Sequence, residues 1–430
     1  MTAIGANLNR AKNSRFLKDS FWALFGNVAN KGLALLAGVL IARFLGAETY
    51  GEYGMIRTTL LYIAVFSTFG LGFTVTRFAA QAEGNDKIRT IVRAAMTISL
   101  AFSGVMALAV IVLAHPLAVF LEAPETDFTL RLTAVTIVFN SLVTVQNGVL
   151  AGMKQFRKNA EINVISGIVT FVATVGLTYC YELNGAVIAL LIANVVNSLL
   201  NQAVIHRLAC GGQQSSEPII GMMRQQLRFS APIAVQELAF SVSFWLGNLL
   251  LIKLSNYSEL GLHAAASQWA GVVLFIPGVL QNVILSYLSK NSEEKMSHET
   301  MLKRMLLINF SAAFVPFLVV LIGSPLIVSF YGPNFDGLLP VLNIAVATTV
   351  VNCLVQVYIQ EYIAQGHTWA LCLIRLGRDI LCLMTAYIAI KELQHHAAAC
   401  YATAYMFASI LCLVSLALFH NRFKAQIQES

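Results

Sequence analysis

Residues 94–114 read AAMTISLAFSGVMALAVIVLA, and Ala94–Ala114 contains no Asp, Glu, Lys or Arg. At about 1.5 Å of rise per residue a helix of this length crosses about 30 Å, the depth of a bilayer's hydrocarbon core. Leu132–Met153, Ile162–Tyr181 and Gly185–Ile205 are equally free of charge. Lipid offers backbone N–H and C=O groups no water, so a spanning segment must be a helix or a strand of a closed barrel. Barrel strands alternate apolar and polar residues over about 10 positions. These runs are uninterrupted, which points to helices and to an all-α polytopic membrane protein.

The rest of the chain agrees. Of its 430 residues 57% are hydrophobic and 11% charged, with a mean hydropathy of +0.72. Soluble domains carry about a quarter charged residues. One large membrane unit is therefore expected in place of two or three soluble domains. Twelve helices are predicted, over residues 20–45, 53–80, 89–114, 130–153, 159–181, 185–207, 228–254, 260–289, 301–330, 337–364, 368–391 and 396–420. The first apolar stretch is too long for the core of a signal peptide, and residues 1–19 read as a polar tail.

Orientation follows from the loops. Arg10, Lys12, Arg15 and Lys18, then Arg77, Lys87, Arg89 and Arg93, then Lys154, Arg157 and Lys158 fall on one side. Arg207, Arg224 and Arg228, then Lys290, Lys295, Lys303 and Arg304, then Arg422 and Lys424 fall on the same side. The opposite loops mix few basic residues with Glu48, Glu52, Glu122, Glu125, Asp127, Glu182, Glu259, Asp336 and Glu392. The basic side reads as cytoplasmic, which places both termini inside. The net charge of +7 is thus spent on topology, and no nucleic-acid partner is expected.

The halves repeat. Pro116-Leu117-Ala118-Val119 aligns with Pro325-Leu326-Ile327-Val328, Pro124 with Pro333, Gly51 with Gly261, and Asn140-Ser141-Leu142-Val143 with Asn352-Cys353-Leu354-Val355, at an offset that grows only slightly along the chain. This predicts two six-helix bundles, residues 1–208 and 227–430, in a parallel repeat joined by a cytoplasmic linker over 209–226. Transporters built from such repeats place the substrate between them, near the midplane. Gly70 and Gly72 in the second helix, and Pro277-Gly278 in the eighth, are matched helix breakers.

Charges inside spans are costly, about 2.5–3.5 kcal/mol each at mid-bilayer, and usually face a wet cavity or a partner. Lys31 lies roughly 16 Å into the first helix, beside Asn27 and Asn30. Glu237 maps through the repeat to Asn27, at a depth similar to that of Lys31. A gate pairing Glu237 with Lys31 and a partner within its own half both remain open. Arg375, Arg378 and Asp379 share a helix face at i, i+3 and i+4. There Arg375 and Asp379 are expected to neutralise each other, leaving Arg378 as the spare cation. Arg57 sits about one turn below the outer surface, where Glu52 or Glu48 is an alternative partner. Arg77 and Glu361 fall near the cytoplasmic face, where long side chains reach water. The embedded balance is positive, which suits a pyrophosphate better than a cation. Trp245 and Trp269 lie deep enough to stack on a sugar or to pack.

Other chemistries lack support. The seven cysteines are scattered without C-x-x-C, so neither a disulfide framework nor a metal site is expected. Glu122, Glu125 and Asp127 read as a solvated loop, and His395-His396 is a lone pair. No cofactor is implied.

Residues 42–53, Ala-Arg-Phe-Leu-Gly-Ala-Glu-Thr-Tyr-Gly-Glu-Tyr, resemble the A-R-x-L-G-x-x-x-Y-G-x-Y signature that follows the first helix in polysaccharide flippases of the Wzx type. These belong to the multidrug/oligosaccharidyl-lipid/polysaccharide exporter superfamily. A second likeness is the turn Gly152-Met153-Lys154-Gln155-Phe156, echoed at Gly366. The resemblance implies a V of two six-helix bundles around a cationic cavity in a bacterial inner membrane. It further implies alternating-access export of undecaprenyl-pyrophosphate-linked repeat units for O-antigen or capsule. Its implied partners are the lipid-linked glycan, membrane lipids, a polysaccharide polymerase, a chain-length regulator and a coupling proton or sodium ion, with the transporter itself a monomer. Two rivals remain open: a small-molecule or drug antiporter of the same fold, which would want carboxylates where Lys31 stands, and a membrane glycosyltransferase, polymerase or ligase, which would want a large outer loop.

Overall fold

The computed structural model describes residues 2–82, 84–209, 219–278, 280, 298–365, 368–393 and 396–429. Among them no strand occurs, and eleven principal α-helices follow one another. They are α1 (Thr2–Thr68), α2 (Leu71–Gln81), α3 (Asn85–Phe120), α4 (Asp127–Gly152), α5 (Phe156–Ala209) and α6 (Ile219–Leu254). The series continues with α7 (Tyr257–Val273), α8 (His298–Tyr331), α9 (Leu338–Ala364), α10 (Thr368–Leu393) and α11 (Ala397–Glu429). The expected membrane-spanning, all-helical class is what the chain adopts.

Some expected loops shrink to single kinks. Residues 46–52, read as a loop, are helical except for Gly46, whose φ of 75° breaks α1 between the first two spans. Glycine takes this conformation without a Cβ clash. The loop expected before Gly185 reduces to Tyr181 and Glu182, so α5 carries two spans. Seven helices among the described residues are long and apolar enough to cross a membrane. Two of them, Asn30–Thr68 and Phe156–Leu208, are 39 and 53 residues long and hold two expected crossings each. The remaining expected spans fall on α6, on α7 with the residues after it, and on α10.

Two of the predicted breaks have counterparts in the structure, while Gly72 lies inside α2. Phe69 and Gly70 adopt φ of 47° and 67° and separate α1 from α2. α7 ends at Val273, and Pro277, four residues on, has no N–H to donate to the Val273 carbonyl. Most of the expected linker, residues 210–218, the end of the eighth span, residues 281–289, and the loop after it, residues 290–297, lie outside the described residues, as does Gly366. α6 begins at Ile219, inside the segment read as linker.

The repeat is written into local structure. α3 carries Pro116 near its end and is followed by a one-turn 3₁₀ helix at Pro124–Thr126 and then α4. α8 carries Pro325 near its end and is followed by a 3₁₀ turn at Pro333–Phe335 and then α9. The matched asparagines also play matched parts. Asn140 Nδ2 donates to Asn194 Oδ1 at 3.2 Å, joining α4 to the second half of α5. Asn352 Nδ2 donates to the Tyr405 hydroxyl at 3.5 Å, joining α9 to α11. In α4 this bond belongs to a ladder with Thr129–Asn184, Gln146–Gln202 and Asn147–Asn201. Such bonds hold helices together where lipid supplies no hydrophobic drive.

The described chain forms two compact units. The first comprises residues 1–45 and 55–245, and the second residues 46–54 and 246–430. In the first, α2 crosses α4 through small residues. A Cβ on Gly148 would lie 2.4 Å from Gly72 O, and one on Gly152 would lie 2.6 Å from Thr76 O. Thr76 Oγ1 lies 2.8 Å from Gly72 O and 3.0 Å from Gly148 O.

In the second unit the flippase-like signature packs on α7. A Cβ on Gly51 would lie 1.9 Å from Tyr257 O, and one on Gly261 would lie 2.0 Å from Ala47 O. Gly51 and Gly261 are repeat partners, and Ala47 and Tyr257 stand at the same offset, so the crossing is reciprocal. Tyr50 secures it, donating to Gln268 Oε1 at 3.1 Å and meeting the Phe335 ring edge-on at 6.0 Å. The Y-G-x-Y motif thus reads as a packing motif.

Gly51→Val and Gly261→Val are each expected to lower the thermal stability of the detergent-solubilised chain by more than the about 1–3 kcal/mol typical of overpacking, measured by size-exclusion melts. Gly32→Ala, where an added Cβ meets nothing within 4 Å, should melt like the parent.

Candidate functional site

α10 is an apolar helix interrupted by Arg375, Arg378 and Asp379. Arg378 is 7% exposed. Its Nε and one terminal nitrogen donate to Asp379 Oδ1 at 2.8 and 2.6 Å. Its guanidinium carbon lies 5.8 Å from the centre of the Tyr405 ring on α11. The Tyr405 hydroxyl accepts from Asn352 of α9, and the buried Cys382 lies one turn further along α10. Three helices thus converge on one buried cation.

This corrects the expected pairing. Arg378 was to be the cation left over once Arg375 had neutralised Asp379, yet Arg378 itself holds that carboxylate. Helix spacing favours i,i+4 pairs, but a long guanidinium stem also reaches its own neighbour when both are packed against a second helix. Removing one member of such a pair strands the other, at a cost of about 3–5 kcal/mol. Arg375 is half-buried.

The first unit holds Lys31 and Arg57, both exposed. They stand on opposite sides of the Gly46 break, in successive spans of α1. Asn30 faces α5, its Oδ1 3.2 Å from where a Cβ on Gly167 would stand. Glu237 lies on α6, and its side chain is outside the described residues.

Other expectations separate cleanly. Both deep tryptophans pack: Trp245 donates to Thr59 Oγ1 at 3.1 Å and Trp269 to the Tyr331 hydroxyl at 3.0 Å. Arg77 is exposed with its guanidinium 4.5 Å from the centre of the Phe229 ring, a cation–π contact. Glu361 departs from expectation. It does not reach water but is 0% exposed, with His420 of α11 beside it. Among the described residues no three His, Cys, Asp or Glu gather as a metal site would require.

Tyr405 and His420 were not singled out from sequence. Asn352 was visible only as a repeat match, and that match was the one signal pointing toward the Arg378 cluster.

Comparison with known proteins places this geometry in context. Residues 16–291 match the polysaccharide biosynthesis protein family. The succinoglycan biosynthesis transport protein ExoT of Rhizobium meliloti is 24% identical over 251 residues, covering 58% of this chain and 49% of that protein. The lipid III flippase of Escherichia coli is 24% identical over 290 residues, covering 65% of this chain and 68% of that one. This chain therefore aligns with only about half the length of the first of these relatives. Among solved structures, an inward-facing MATE family transporter of the MOP superfamily superposes with a TM-score of 0.77 at 15% identity, over 95% of this chain and 96% of that one. The lipid II flippase MurJ in an inward closed conformation superposes with a TM-score of 0.69 at 16% identity, over 92% and 86% of the two chains. The fold is that of the MOP exporters.

Arg378→Ala is expected to reduce the amount of folded protein by leaving Asp379 buried without its counter-charge. Adding Asp379→Asn to that variant should restore much of the loss, read as the monodisperse peak in size-exclusion chromatography.

Proposed function

Since the chain belongs to the polysaccharide biosynthesis protein family, we propose that it is a transporter and not an enzyme, carrying a polyprenyl-pyrophosphate-linked oligosaccharide across a bacterial inner membrane. One observation carries the reading: in a chain of this family, cationic side chains stand within apolar spans. Lys31, Arg375 and Arg378 stand against Glu237 and Asp379. Guanidinium and ammonium groups answer the diphosphate of such a lipid, while its polyprenyl tail stays in the bilayer.

Within this reading Lys31, Arg57 and Arg375 meet the anionic headgroup. The Arg378–Asp379 pair holds α10 against α11 so that Arg375 is presented in a fixed place, and Glu237 supplies counter-charge at the depth of Lys31. Residues 1–208 and 227–430 act as the two moving halves, with the intervening segment as their cytoplasmic connection. Both termini face the cytoplasm. Alternating access takes the headgroup from the inner to the outer leaflet, where a polymerase and a chain-length regulator would receive the repeat unit.

A strain lacking the chain is expected to accumulate lipid-linked repeat units on the cytoplasmic leaflet and to lose the surface glycan. Lys31→Ala should abolish glycan display with membrane abundance, checked by immunoblot of the protein, unchanged. Lys31→Arg should retain a measurable part. Normal display by Lys31→Ala, scored by immunoblot of surface polysaccharide, would remove the cationic-site mechanism.

A further inference from the structure

α6 runs for 36 residues, Ile219–Leu254, which is about 54 Å at helical rise. A hydrocarbon core of about 30 Å takes up only about 20 residues. With the crossing expected over residues 228–254, the first turns of α6 stand at headgroup level, on the side that the basic loops assign to the cytoplasm.

One row of these turns is packed into the first unit. Met222 and Gln226 are buried, Met222 in a cluster with Ile91, Ala94 and Ala95 of α3. Gln226 Nε2 donates to Ile91 O at 3.1 Å. Phe229 meets Phe78 of α2 edge-on at 6.1 Å and holds the Arg77 guanidinium over its ring.

The outward rows carry two chemistries side by side. Arg224 and Arg228, one turn apart, are exposed, and Ile220, one turn before them, is 80% exposed. In the adjoining row Met223 and Leu227, also one turn apart, are half-buried. An open groove of about 820 Å³ has Ile220, Met223, Arg224, Gln225, Leu227 and Arg228 in its lining, within the about 300–1,000 Å³ usual for ligand cavities. The neighbouring charge is mostly of one sign. Arg77 of α2 and Lys87 and Arg93 of α3 are exposed, while α2 and residues 219–236 contain no Asp or Glu. Asp86 is the one carboxylate of α3, and Glu161 of α5 is held by Arg157 at 2.9 Å. Glu83 and Glu217 lie outside the described residues.

We propose that this face of α6 binds an anionic phospholipid of the surrounding leaflet. Its phosphodiester sits on Arg224 and Arg228, and an acyl chain lies along Met223 and Leu227. Residues four apart on a helix are neighbours, so both guanidinium groups reach one phosphate. Guanidinium is weakly hydrated and matches phosphate oxygens in pairs, which suits it to this layer better than ammonium. Basic side chains at the membrane surface attract anionic lipid, and a zwitterionic headgroup offers the same acyl chain without the net charge. The described lining holds no aromatic ring and a single amide, Gln225, so it offers a glycan little to grip. The bound lipid adds a tie at the level of the Gln226–Ile91 bond and stabilises the end where α2, α3 and α6 meet. None of this depends on what the chain transports.

The test uses the purified full-length chain in detergent, titrated with phosphatidylglycerol or with phosphatidylcholine of the same acyl chains, and bound lipid is counted by native mass spectrometry. The parent should retain phosphatidylglycerol at concentrations on the order of tenfold lower. Arg224→Gln combined with Arg228→Gln should lose that preference. Arg304→Gln combined with Lys391→Gln, which removes the same charge from other helices, should keep it. In nanodiscs the parent should melt higher when phosphatidylglycerol is added to phosphatidylcholine, and the Arg224→Gln/Arg228→Gln chain should not. A size-exclusion profile in phosphatidylcholine nanodiscs verifies that this chain is folded. Raised salt should erase the parent's preference, a readout that needs no variant. Equal retention of the two lipids by the parent, a preference that ignores salt, or one that survives loss of both arginines would overturn the proposal. So would stabilisation by inorganic phosphate alone to the same extent, because the acyl chain would then play no part. Retention of a polyprenyl pyrophosphate but not of phosphatidylglycerol would overturn it too, and would give the face to the transported lipid.

Discussion

A backbone in hydrocarbon has to satisfy its hydrogen bonds within its own segment, and nearly every feature of this chain follows from that. It explains why the apolar stretches fold as long uninterrupted helices, as in Asp86–Phe120 and Glu299–Tyr331. Some interruptions shrink to one or two residues: Gly46, the Phe69–Gly70 pair and the Tyr181–Glu182 pair. Without a hydrophobic force to drive helices together, close approach and polar contact take over. The glycines at the α2–α4 crossing, those at 51 and 261, and the amide ladder between α4 and α5 are two answers to one problem.

The same medium sorts the charges into two groups. Arg378–Asp379 and Glu361–His420 are closed inside helix packing, where each group faces a counter-group. Lys31 and Arg57 are exposed along spans of α1 and so are open to a ligand. Packed charges set which helices stay together. The transport reading draws on the second group for substrate and on the Arg378–Asp379 pair for holding α10 in place.

The repeat connects these roles. Proline-ended helices followed by a 3₁₀ turn occur twice, and an asparagine bonds across to a later helix twice. In the first unit that asparagine meets another amide, and in the second it meets the tyrosine lying under Arg378. One inherited scaffold has thus been given a neutral ladder in one copy and an ionic cluster in the other.

Sequence alone determined the helical membrane class, the approximate spans, the breaks at Gly70 and before Pro277, and the repeat. These depend on hydrophobic length, on proline and glycine stereochemistry and on recurring residues, all local properties of the chain. It also flagged Lys31, Arg57, Arg375, Arg378 and Asp379 as charges out of place. Only the tertiary structure decided that Asp379 belongs to Arg378, that Trp245 and Trp269 pack, and that Glu361 is enclosed beside His420. Those outcomes depend on which helix lies against which, and a partner brought in from far along the chain leaves no trace in the spacing of its neighbours.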